Sequence, residues 1–191
     1  MSAEMALKIA IDLMHVPSQV RLLRSAPLPD DVQVLLRIVA GDEDALGTAV
    51  SLTGRPLREL RQAATFFIEQ ILFAPESDSY RVLGSGPQAS NSELRQNVGL
   101  LLRWLHPDLD LGGERSIFVG RVTAAWNDLK TPERRAAYDA TLRSPVEEKN
   151  HSRKSGWPRR RRSARRRREG VDARGFWQRA LAILLDRPLV R

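Results

Sequence analysis

His15, His106 and His151 are the whole imidazole supply of this 191-residue chain, and it contains no cysteine. Thiol nucleophiles, disulfides and cysteine-ligated zinc or iron–sulfur centres are thereby excluded, and a reducing compartment, the cytoplasm, is the natural expectation. No carboxylate pair, nucleophile–base arrangement, phosphate-cradling glycine loop or metal-ligand spacing stands out, so we expect no catalytic residue, no metal and no cofactor. Two constellations remain, and both suit recognition rather than turnover. In His106-Pro107-Asp108 the proline fixes φ and stiffens the turn. The aspartate offers a carboxylate fork to a partner arginine, and the histidine can hydrogen-bond to hold the loop in shape. The second is Arg159, Arg160, Arg161, Arg162, Arg165, Arg166, Arg167 and Arg168, eight guanidinium groups within ten residues. Such a run is either a solvated linker or a contact for phosphate-rich surfaces, RNA or anionic lipid. If all eight met single-stranded RNA, log affinity would fall with log salt at a slope of about −6. Trp157 beside the run could stack on a base.

The charge is divided along the chain. Residues 149 to 191 carry 15 Lys/Arg against Glu169, Asp172 and Asp186, a net of +12, which leaves −4 for residues 1 to 148. Mutual repulsion and the lack of apolar periodicity predict disorder for residues 144–172. Beyond them Phe176, Trp177, Ala180, Leu181, Leu184 and Leu185 predict a short amphipathic helix over 173–191, suited equally to a bilayer surface and to docking on the body. The run Ala180 to Leu185 is far below the roughly 20 apolar residues that cross a membrane, and Glu4 and Asp12 break the start as a secretory signal. We expect no transmembrane segment. Oligomeric state is not readable.

The elements that must position the His-Pro-Asp turn are helical. Apolar residues recur at three and four through residues 1 to 142 without sustained period-two alternation, which predicts an all-α protein. Its divisions are an N-terminal helical domain over 1–75 and a second helical domain over 76–143. Residues 3 to 15 form a helix with Glu4, Lys8 and Asp12 on one narrow polar stripe, so it must be covered, within a bundle or at a membrane interface. After Pro27 and Pro29, Asp30 is placed to cap a helix carrying Val32, Leu35, Leu36 and Val39. A third helix runs from Asp42 to Leu52 and stops at Thr53-Gly54. A fourth starts at Pro56 and lines up Leu57, Leu60, Ala64, Phe67, Ile68 and Ile71. Val50, Gly54 and Leu60 sit at helix-turn-helix offsets, but Asp42, Glu43 and Asp44 beside them favour a plain helical hairpin over DNA reading. Downstream, Asp78 to Gly84 is a helix of one and a half turns, and Ser90 with Glu93 forms a capping box. The helix it starts carries Leu94, Val98, Leu101, Leu102 and Leu105 and halts at His106, because a residue before proline leaves the α region. The next helix presents Phe118, Val122, Ala125 and Leu129, and the two can zip together antiparallel across the His-Pro-Asp loop. Thr131 and Pro132 open a last helix.

Side by side, Tyr80-Arg-Val-Leu-Gly84, His106-Pro107-Asp108, Ala124-Ala-Trp-Asn-Asp-Leu129 and Pro132-Glu-Arg-Arg-Ala-Ala-Tyr-Asp139 resemble the J-domain of the DnaJ-type co-chaperones, over roughly residues 78–142. The resemblance implies an antiparallel helical pair flanked by two short helices. It also implies that His106, Pro107 and Asp108 stimulate ATP hydrolysis by a DnaK-type heat-shock chaperone, the chain itself catalysing nothing. In that family the long helix shows a basic face to the partner. Here Gln96, Gly99, Leu100 and Trp104 stand at the usual cation positions, and Arg95 and Arg103 remain as partner-binding cations. From Val98 to Leu105 only Arg103 is polar, so the helix is apolar nearly all round and the N-terminal helices are the expected cover for Leu100 and Trp104. Phe118, Trp126 and Tyr138 are expected in the core. The alternative to a co-chaperone is a non-chaperone interaction or nucleic-acid-associated protein on a degenerate J-like scaffold with a basic tail.

Overall fold

In the computed structural model, which describes residues 3–106 and 116–143, every regular element is helical. The α-helices are α1 (Ala3–His15), α2 (Val20–Ser25), α3 (Val32–Val39), α4 (Glu43–Thr53), α5 (Leu57–Phe67), α6 (Ser79–Val82), α7 (Asn91–Trp104), α8 (Ser116–Leu129) and α9 (Pro132–Arg143). A 3-10 turn, Pro17–Gln19, precedes α2, and a π turn, Ile68–Leu72, continues α5. Met1–Arg135 forms one compact unit and Ala136–Arg191 another; of the second, the described residues are the helical turns up to Arg143. The expected basic linker 144–172 and terminal segment 173–191 lie outside the described residues. Among the described residues no helix is long and apolar enough to cross a membrane.

Most of the apolar circumference of α1 is covered within the bundle: Ala6, Leu7, Ala10, Ile11 and Leu13 are buried against α5 and α3, while Glu4, Lys8 and Asp12 face out and Met5 stays exposed. Each fully buried leucine of this kind contributes about 1.5–3 kcal/mol. The start of α1 is capped from afar. Asp31, not Asp30, takes the N-cap position of α3, makes no side-chain cap bond there, and instead accepts the Ala6 amide on both carboxylate oxygens at 3.2 Å. A first-turn amide of a buried helix has no partner in its own helix and sits at the positive end of the dipole, so the buried carboxylate is better placed there; Asp30 stays exposed. The third and fourth expected helices form as α4 and α5. Asp42 accepts from Ala45 N at 3.0 Å, and Gly54 ends α4 with φ 64°. Arg37 grips Asp42 through two bonds of 2.9 and 3.0 Å, which holds that carboxyl below the usual carboxylate range. Leu57, expected on the buried side, is 41% exposed because it opens α5 beyond the edge of the core.

The π turn changes which residues reach the interior. Phe73 N donates to Ile68 O at 3.0 Å, a five-residue step, and the extra residue brings Ile71, Leu72, Phe73 and Ala74 all inside. The carbonyls freed there and at the end of α2 are taken by arginines. Arg121 of α8 donates to Phe73 O and Ala74 O. Arg81 of α6 donates to Leu23 O at 2.6 Å and Ala26 O at 2.9 Å, and burial pushes its pKa down from the usual guanidinium value. These bonds tie the N-terminal helices to the later ones, and at Gly84 the two sets meet closely. Its φ is +64°, and a Cβ there would sit 3.2 Å from Val32 Cγ1, 3.3 Å from Leu36 Cδ1 and 3.4 Å from Leu72 Cδ1. Gly84→Ala therefore adds a left-handed backbone penalty to crowding of α3, and chemical denaturation should show a loss of about 2–4 kcal/mol. A neutral substitution would mean that α3 does not press on this turn.

Candidate partner-binding loop and its supporting helices

The His-Pro-Asp loop leaves α7 through local chemistry. Ser90 accepts Glu93 N at 3.1 Å and so starts the helix. Only half of the expected capping box forms, since the Glu93 carboxylate is turned to the Ser85 hydroxyl at 3.4 Å. At the other end Leu105 is the C-cap, and His106 N donates to Arg103 O at 3.3 Å. His106 is half-buried, at the last described position before the loop; Pro107 and Asp108 lie outside the described residues. Helix α8 begins at Ser116. Leu94, Val98, Leu101, Leu102 and Leu105 of the first segment and Val119, Val122, Ala125, Trp126 and Leu129 of the second are all buried. The pair is antiparallel: Asn91, at the start of α7, donates to Lys130 O, just past the end of α8, at 3.2 Å. The packed pair thus fixes where His106 leaves α7 and where Ser116 opens α8.

Of the two cations expected to meet a partner, Arg103 is exposed while Arg95 is half-buried with its Nε fully enclosed. They stand eight residues apart on α7, about 12 Å along the axis. The non-cationic positions between and around them are partly covered. Trp104 is 4% exposed and lies 6.3 Å, centroid to centroid, from Phe73, which also stacks on Phe118 at 4.6 Å. Leu100 stays half-buried, and Gln96 is exposed and bonded to Gln33 of α3 at 3.2 Å. The expected cover from the N-terminal side is therefore real for Trp104, while Leu100 is only half-buried. Trp126 is buried, but Phe118 and Tyr138 are half-buried rather than core. Arg159, Arg160, Arg161, Arg162, Arg165, Arg166, Arg167 and Arg168 lie outside the described residues.

Two residues that hold the site carry little signal in the sequence. Asn97, fully buried, donates to Leu83 O and to the Ser85 hydroxyl, both at 3.0 Å, and accepts from Gln33 Nε2 at 3.0 Å. It pins α7 to the Gly84 turn on one side and to α3 on the other. Asn97→Ala should cost about 1–3 kcal/mol by stranding the Leu83 carbonyl, read as a lowered denaturation midpoint with unchanged m-value; an unaltered midpoint would contradict this role. Arg135 donates to the Tyr80 hydroxyl at 2.9 Å, Ala89 O at 2.8 Å and Pro87 O at 2.6 Å, with its guanidinium carbon 5.3 Å from the Tyr80 ring centroid. Ser79 of α6 donates to Asp128 of α8 at 2.7 Å. The only sequence signal for Arg135 is its place in the Pro-Glu-Arg-Arg-Ala-Ala-Tyr-Asp segment. For Asn97 it is one polar residue just ahead of an apolar run.

An antiparallel pair, α7 and α8, braced by the short α6 and by Arg135 from the first turn of α9, is the class of structure the site defines. Over 66 residues, 35% of this chain, it is 36% identical to the Chaperone protein DnaJ of Latilactobacillus sakei and to that of Latilactobacillus sakei subsp. sakei strain 23K. That stretch is 17% of each of those proteins, so the chain spans about a sixth of the length of the curated relatives it matches. These similarities support a DnaJ-like relationship for about a third of the chain. No family model and no solved structure matches it.

Proposed function

We propose that this chain is a J-domain co-chaperone of the cytoplasm. In this reading His106-Pro107-Asp108 engages a DnaK-type heat-shock ATPase and stimulates its turnover, while the N-terminal helices or the Arg-rich tail bring it to a client or surface. The chain does no catalysis of its own. What supports this is the conjunction of the 36% identity to DnaJ over 66 residues with a His-Pro-Asp sequence that lies between two packed antiparallel helices. Pro107 limits the entropy lost when the loop is bound, and Asp108 supplies a charge for a partner cation. The test is steady-state ATPase turnover of a DnaK-type chaperone with and without the full chain, where stimulation is the expected result.

A second reading has its own support. With Trp104 buried, Leu100 half-buried, and Gln96 and Gly99 on the same helix, α7 keeps few of the cations that the resemblance leads one to expect. On this reading the scaffold is J-like, the chaperone partner is lost, and the Arg-rich tail does the binding, to RNA or an anionic membrane. Absence of any ATPase stimulation, together with tail-dependent binding to one of those surfaces, would decide for it.

A further inference from the structure

Below the end of α7 the chain forms an open cleft with a volume of about 420 Å³, lined by Val39, Ala40, Gly41, Arg61, Thr65, Arg103 and Trp104. It joins three stretches distant in sequence: the C-terminal turn of α3, the middle of α5 and the last turn of α7. Arg61 and Arg103 are both exposed, and neither side chain is in an ion pair or hydrogen bond with another described residue. Arg24, Arg37, Arg55, Arg81, Arg121 and Arg135, by contrast, all have partners. The nearest carboxylate of the α3–α4 turn, Asp42, is committed to Arg37. The Trp104 indole and the Val39 side chain give the cleft an apolar wall, with the Thr65 side chain beside them. Gly41, with φ 78°, turns the backbone away and leaves the mouth open.

We infer that this cleft is a docking site for an acidic peptide segment of a partner protein, one with carboxylates flanking an apolar side chain. Two cations facing solvent across an apolar floor are the complement of such a segment. The last turn of α3 is already closed, with the Ala40, Gly41 and Asp42 amides donating to Leu36 O, Ile38 O and Arg37 O, so recognition rests on the two guanidinium groups and the wall beside them. Trp104 is 4% exposed and offers no open ring face on which a base could stack, so a polynucleotide is the poorer fit. Arg61 lies outside the segment that resembles a J-domain, and the proposal does not depend on ATPase stimulation; its test contains neither chaperone nor nucleotide.

The probe is a short peptide of alternating glutamate and leucine, titrated into the full-length chain. The Arg-rich tail can bind polyanions as well, so the readout is local: two-dimensional amide NMR signals of Gly41 and Thr65 and the indole N–H of Trp104. Saturable shifts of these three signals are expected, with no such shifts for the glutamine counterpart of the peptide. The double variant Arg61→Gln/Arg103→Gln should weaken the affinity read on them roughly tenfold, and Arg58→Gln, exposed on α5 but outside the cleft, should leave it unchanged. Unmoved cleft signals, equal affinity in the double variant, or tighter saturation of the same signals by a single-stranded oligonucleotide of equal charge would each overturn the proposal.

Discussion

Trp104→Ala should lower the unfolding free energy of the full-length chain by about 3–5 kcal/mol, the range typical of truncating a large buried aromatic. The indole is 4% exposed and packs against Phe73, itself held in the interior by the π turn. Its removal would open a void between α7 and the N-terminal helices that those helices cannot easily fill, because Gly84, Arg81 and Arg121 already fix their approach. The comparison is Arg103→Ala, one residue earlier and exposed, which should stay within about 0.5 kcal/mol of wild type. Denaturant unfolding of both variants reads the difference. If the tryptophan costs no more than the arginine, Trp104 is a surface residue in solution and the N-terminal helices do not cover α7.

The parts of the fold legible in the sequence are those that local chemistry decides. Ser90, Asp78, Asp42 and Thr131 cap helices because their side chains reach amides two or three residues ahead, and that spacing is visible in a linear sequence. The stripes on α1, α3, α5, α7 and α8 are likewise legible, since burial of one face repeats with the helical period. Expectation and structure part where a distant partner decides the outcome. Asp30 and Asp31 are equivalent as local caps, and only the Ala6 amide, 25 residues away, selects Asp31. Helix α2 has no buried residue and hence no stripe, yet its end receives Arg81. The π turn is one residue inserted at Ile68-Glu-Gln-Ile-Leu72, where the apolar spacing of three and four still reads as an ordinary helix. Much of the candidate site divides in the same way. His106 is legible from Pro107 behind it, and the tryptophan at 104 already demands a cover. Arg61 is not legible beside Arg103, because α5 and α7 meet only in three dimensions.

The remaining large effect is expected at Asp108, in the segment between α7 and α8. Asp108→Asn should return the stimulated ATPase rate of a DnaK-type partner to its basal level while leaving helical content and the melting transition nearly unchanged. Asparagine keeps the shape of aspartate and removes its charge, so only a contact that needs the charge is lost. Breaking one partner of a desolvated charge pair costs about 2–5 kcal/mol, and with each 1.4 kcal/mol worth a factor of ten, the weakening is roughly 30-fold or more. Stability should hardly respond, because α7 and α8 are fixed by their buried apolar faces and by the Asn91–Lys130 bond rather than by the loop. The pairing of the two measurements is what gives the result meaning. A variant that loses both stimulation and its melting transition would show that Asp108 supports the hairpin. A variant that stimulates as well as wild type would leave the His-Pro-Asp turn without a mechanism, and any stimulation would then have to arise from another surface, with the Arg61–Arg103 cleft the first to be tested.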